Sequence, residues 1–91
     1  MPKYLITREL PGAGTLSPEE LRTISAKSND VLADLGPDIQ WDHSYVTADR
    51  INCVYVAADE DLIREHARRG GFPCTEIRQV ATLIDPVTGG A

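Results

Sequence analysis

Two amphipathic stretches, each framed by its own start and stop residues, partition this chain and leave only short apolar runs between them. The first frame opens with Ser17-Pro18-Glu19-Glu20 and closes with Gly36-Pro37. Ser17 can accept from the third helical amide, Glu20 can reach back to the cap, and Pro18 suits the first helical position. Leu21, Ile24, Val31, Leu32 and Leu35 recur between these signals at helical spacing, which predicts an amphipathic helix over residues 18–35. The second frame opens at Asp59. Glu60 and Asp61 fall in its first turn and Arg68 and Arg69 in its last, both favourable to the helix dipole, and Gly70-Gly71 closes it with Pro73 just beyond. Leu62, Ile63, His66 and Ala67 form its apolar stripe.

The runs between and around these helices read as strands. Lys3 to Leu10 carries apolar groups on both faces and stops at Pro11-Gly12-Ala13-Gly14, as a central strand would. Gln40 to Thr47 alternates through Trp41, His43 and Tyr45, and Ile51 to Ala57 is rich in β-branched and aromatic residues, so the two predict a hairpin. Glu76 to Ile84 reads as the last strand, ended by Asp85-Pro86. The order strand, helix, strand, strand, helix, strand closes most simply as an α+β ferredoxin-like sandwich. That is a βαββαβ arrangement, with a four-stranded antiparallel sheet and both helices on one face. The whole chain, 1–91, reads as one domain, ordered over about 3–86 with a loose tail at 87–91.

Such a sheet has one uncovered face. A chain of 91 residues buries only about 60–65% of its unfolded surface, and a broad exposed apolar face is unfavourable. Pairing through a three-residue loop would set Tyr45 opposite Cys53 and His43 opposite Tyr55. Trp41, His43, Tyr45, Ile51, Cys53 and Tyr55 would then share the open face, with Val54 and Val56 toward the helices; a slip of one residue reverses this. A homodimer through that face is the simplest cover.

Composition excludes several functions. Nine basic against fourteen acidic residues give a net charge of −5, which disfavours nucleic acid and anionic membrane surfaces. No segment approaches the ~20 apolar residues of a membrane span, and the first residues lack the pattern of a secretory signal. A cytoplasmic protein is expected, with Cys53 and Cys74 free in a reducing compartment. No glycine-rich phosphate loop, Walker-type or HExxH pattern occurs, and no organic cofactor is expected.

The chemistry therefore rests on few residues. His43 is a half-buried hydrogen-bonded histidine, a metal ligand or an acid–base group. His66, on a helical apolar stripe, is a buried histidine with a backbone or hydroxyl partner, or a ligand. Cys53 reads as a small buried apolar residue rather than a nucleophile, and Cys74 as an exposed thiol. Trp41, Tyr45, Cys53 and Tyr55 would pack, form a dimer contact, or wall a small-molecule pocket. Arg64, Arg68 and Arg69 read as a solvated helix end. Asp38, Asp42 and Asp49 are oxygen donors near His43 in sequence, without a spacing that specifies a ligand set.

Two blocks carry a resemblance. They are Gly36-Pro37-Asp38-Ile39-Gln40-Trp41 with His43-Ser44-Tyr45-Val46, and Arg64-Glu65-His66-Ala67-Arg68-Arg69-Gly70-Gly71-Phe72-Pro73. Together with Pro2-Lys3-Tyr4-Leu5-Ile6 and the Glu9-Leu10-Pro11-Gly12-Ala13-Gly14 turn, they make the chain resemble a family of small bacterial ferredoxin-like proteins of unknown function that includes a nickel-binding homodimer. The resemblance implies a ferredoxin-like fold, a homodimer and binding of divalent nickel, and it leaves open whether the protein is an enzyme. His43 and His66 lie inside the shared blocks, and imidazole suits nickel, so they are the expected metal ligands. The alternative is a small enzyme or small-molecule-binding protein of the dimeric α/β-barrel kind, using the sheet face around His43, Tyr45, Cys53 and Tyr55.

Overall fold

The computed structural model of the protein describes residues 1–90. Its elements are β1 (Lys3–Glu9), α1 (Pro18–Leu35), β2 (Ile39–Val46), β3 (Arg50–Ala57), α2 (Glu60–Gly70) and β4 (Glu76–Gln79), with short 3₁₀ turns at Ala13–Thr15 and Pro86–Gly89. The strands form one antiparallel sheet in the order β2-β3-β1-β4. This is the α+β ferredoxin-like arrangement expected from the order of elements.

Local chemistry sets the helix ends. Ser17 accepts from the Glu20 amide and Glu20 returns a bond to the Ser17 amide, completing a capping box ahead of Pro18. Gly36, at φ 89°, ends α1 in a conformation that a side chain would resist. Asp59 caps α2 through the Leu62 amide, and the left-handed Gly71 closes it. The core lies between the helices and one face of the sheet. Tyr4 and Ile6 of β1, Ile51, Cys53, Tyr55 and Ala57 of β3, Ile39 of β2 and Ile63 of α2 build it.

The β2–β3 register differs from the expected one. The hairpin turns through Ala48-Asp49 and closes where the Thr47 amide donates to the Arg50 carbonyl at 2.9 Å, so the loop is shorter than three residues. The segment after β1 grips this turn. The Gly12 amide donates to the Asp49 carboxylate at 3.0 Å and the Gly14 amide to the Ala48 carbonyl at 3.0 Å. A Cβ on Gly14 would come within 3.0 Å of the Ala48 Cα, so this approach requires glycine.

Tyr45 consequently pairs with Asn52, Ser44 with Cys53 and His43 with Val54. A bulge at Asp42 then shifts the count, and Trp41 pairs with Tyr55. Cys53 and Tyr55 therefore point to the helices, while Val54 and Val56 lie on the open side. This reverses the expected assignment of β3, and Trp41 joins the helix side.

The last strand is also shorter than expected. β4 pairs with β1 only from Glu76 to Gln79, opposite Thr7 to Tyr4. One more backbone bond, from the Val80 amide to the Lys3 carbonyl at 2.8 Å, completes the contact. Beyond it the next residue is Pro2, which has no amide to donate and whose carbonyl accepts from Ala57 on the other side, and Leu83 and Ile84 stand exposed. Most of the segment expected as a loose tail forms the Pro86–Gly89 turn, capped by Asp85 through the amides of Val87 and Thr88. Ala91 lies outside the described residues.

The capping box offers a direct check. Ser17→Ala removes an acceptor from an exposed amide and should cost about 1 kcal/mol, read as a lower midpoint in urea unfolding at unchanged slope.

Candidate functional site

The two sides of the sheet carry different chemistry. On the open side, Leu5, Val54 and Val56 form a small apolar centre. Ion pairs border it: Lys3 with Asp42 at 3.9 Å, Glu9 with Arg50 at 2.7 Å, and Arg78 with Glu76 at 3.5 Å. Thr7 donates to Asn52 across the strands at 3.4 Å. His43 and Tyr45 lie along the β2 side, with their rings edge-on at 5.0 Å between centroids. The Asp42 carboxylate reaches to 3.7 Å from His43 Nδ1, and both side chains are about half exposed.

On the helix side, a cavity of about 330 Å³ opens between α1, the sheet and the turn after α2. Trp41, Ser44, Ile51, Cys53 and Tyr55 line it from the strands, Leu21, Ile24 and Ser28 from α1, and Phe72 and Pro73 from the turn. Trp41 Nε1 is satisfied by Ser44 Oγ at 2.9 Å. The residues expected to share one pocket are therefore divided by the sheet. Trp41, Cys53 and Tyr55 border this cavity, whereas His43 and Tyr45 lie on the far side.

His66 also sits on the helix side, fully buried. Its Nε2 is hydrogen-bonded to Ser28 Oγ at 3.1 Å, and its ring packs 5.3 Å from both Tyr55 and Phe72. His43 and His66 thus cannot meet at one ion within a chain. Glu65, the neighbour of His66, turns away to pair with Arg68 and Arg69, and Arg64 pairs with Glu60. Both cysteines are free, and Cys74 is half-buried against the core rather than exposed.

Arg8 and Ser28 are the polar residues that sequence reasoning passed over. Arg8 is 5% exposed and lines the cavity. Its Nη1 donates to the Pro73 carbonyl at 2.6 Å, and its guanidinium lies 5.9 Å from the Tyr55 ring centroid and 5.5 Å from that of Phe72. Its Nη2 has no hydrogen-bond partner among the described residues. The signal was present in the alternation of β1, where Arg8 follows Tyr4 and Ile6 on the inward face.

The charge state of this cluster follows from its burial. Burial, reinforced by the Arg8 charge and opposed by the Ser28 bond, lowers His66 to about 4 from an ordinary value of 6.5. Burial also raises Tyr55, against the opposing influences of Ser28 and Arg8. At neutral pH both rings are uncharged, and Arg8 is the one charge of the group.

The family described as Nickel responsive protein SCO4226-like matches residues 4–80. The chain belongs to this family. No curated protein matches it. Among solved structures, the crystal structure of SCO4226 from Streptomyces coelicolor A3(2) is similar, with a TM-score of 0.76 and 13% identity over 90% of this chain and 99% of that one. At that identity the likeness shows the fold.

The buried imidazole predicts an acid-sensitive fold. A histidine with a depressed folded-state pKa leaves the unfolded chain binding more protons between about 4 and 6.5. Stability is then full above pH 6.5 and falls as pH drops through that window, by on the order of 3 kcal/mol in all. Urea unfolding of the wild type across pH 4–7 should show this slope, and His66→Gln should flatten it whatever its stability at pH 7.

Proposed function

We propose that this protein binds divalent nickel on the open face of its sheet, as a homodimer, with the His43 imidazole and the Asp42 carboxylate as donors from each chain. The observation that carries this reading is the Asp42 bulge. Bulges re-aim side chains, and this one leaves a carboxylate 3.7 Å from an imidazole nitrogen on a half-exposed surface. The family's description as nickel responsive supports it.

The donors fit the ion in kind, since imidazole and carboxylate suit borderline divalent metals. They fall short in number, because no group of three His, Cys, Asp or Glu residues is poised for a metal among the described residues of one chain. A second copy across the same face would double the pair to four donors and cover Leu5, Val54 and Val56 as well. When bound, the nickel would act as cargo or signal rather than as a catalytic group. His66 stands apart from this site as a buried, hydrogen-bonded residue. No helix among the described residues is long and apolar enough to cross a membrane, and a cytoplasmic setting is part of this reading.

Calorimetric titration of tag-free protein with nickel should show about one ion per two chains. His43→Ala should weaken binding by at least ~10-fold, Asp42→Asn should weaken it less, and His66→Gln should leave it unchanged. Binding no tighter than about 100 μM, or an unaffected His43→Ala variant, would end the proposal. In sedimentation equilibrium, Leu5→Glu should shift the protein toward monomer and lower nickel affinity with it.

A further inference from the structure

We propose that the cavity between α1 and the sheet binds a small organic monocarboxylate, with the carboxylate on Arg8 and the hydrocarbon body among Leu21, Ile24, Trp41 and Phe72. This site is separate from the nickel site and lies on the opposite side of the sheet.

The first ground is an uncompensated charge. Arg8 is 95% withdrawn from solvent, yet it makes no ion pair among the described residues, and its Nη2 lacks any acceptor. Guanidinium stays protonated in proteins, and a buried charge without a partner is costly. The stacking on Tyr55 and Phe72 and the single bond to the Pro73 carbonyl offset part of that cost. They leave Nη2 without an acceptor among the described residues. The neighbouring titratable rings cannot neutralise it, since His66 and Tyr55 are uncharged at neutral pH.

The second ground is shape. The cavity, about 330 Å³, falls at the small end of the ~300–1,000 Å³ range of ligand pockets, and its walls are mainly apolar with a few convergent polar groups. A lone guanidinium matches a carboxylate in charge and in its planar two-oxygen geometry. A phosphate would bring a second negative charge, and Lys27, the other lysine or arginine that lines the cavity, is exposed on α1 and would meet that charge only in solvent. A simple halide would leave the apolar walls without contacts. The combination therefore selects an acid with an aromatic or aliphatic body.

The test uses phenylacetate and octanoate as probes, with phenylacetamide as the neutral counterpart, on wild-type protein in the presence of a chelator. Two-dimensional amide NMR should show saturable shifts at Ser28, Trp41 and Phe72 with at least one of the acids, and affinity at least ~10-fold weaker for the amide than for phenylacetate or octanoate. Arg8→Met should lose acid binding while keeping its spectrum dispersed; should that variant not fold, Arg8→Lys should fold and bind the acids at least ~5-fold more weakly. The proposal is overturned if neither acid saturates by about 10 mM, if acid and amide bind alike, or if the shifts map to Leu5 and Tyr45. Because the chelator removes nickel, acid binding survives or fails independently of the metal reading.

Discussion

Between Trp41 and His43 the β2–β3 ladder carries a residue without an opposite number, and the alternation of β2 changes sides there. The side chains of the hairpin that carry chemistry are sorted by that displacement together with the tight Ala48-Asp49 turn. Trp41 and Ser44 turn toward the helices and close one flank of the cavity. His43 and Tyr45 turn toward the open side, where Asp42 joins them. Without the extra residue, Trp41 and His43 would share one face, as simple alternation requires. The backbone of Gly12 and Gly14, clasping the hairpin turn, holds the register that makes this division.

The helix side is organised around a second constraint, a cation almost wholly withdrawn from the surface. Arg8 enters the interior on a strand whose inward positions are otherwise apolar. Burial first, and the Arg8 charge second, depress the basicity of His66, and the His66–Ser28 bond in turn ties α2 to α1. Tyr55 and Phe72 touch both the guanidinium and the imidazole. Gly70 belongs to the same arrangement, since a Cβ there would collide with the Phe72 ring. A buried charge without a partner is costly. Arg8 is therefore better understood through what it can hold than through what it adds to the fold.

Local signals were sufficient for most of the architecture. Ser17, Pro18, Glu20 and Gly36 act over a few residues, and they bound α1 at the positions their chemistry implies. Asp59 and Gly71 do the same for α2. The register of the hairpin was not available in this way, because it depends on bonds from Gly12 and Gly14, more than thirty residues distant in the chain. One misplaced residue in a period of two exchanges the faces, so Cys53 and Tyr55 were assigned to the wrong side. The end of β4 was hidden for a similar reason. Val80 to Ile84 has strand-like composition, but the neighbouring strand has already begun. Arg8 was passed over although the alternation of β1 sets it in step with Tyr4 and Ile6, and its meaning appears only with the cavity beside it.

The position of β1 also bears on how the chain is made. It is made before both strands it pairs with, Val56 to Arg50 on one side and Gln79 to Glu76 on the other. At the usual ~5–20 residues per second, roughly 4–15 s separate the synthesis of Lys3 from that of Gln79. During that interval Tyr4, Ile6 and Leu5 have no sheet to join, and the arginine that will end up sealed inside stays in water. The charge in the third inward place of β1 keeps the inward face of this waiting segment from being purely apolar, the kind most prone to pair with another nascent chain.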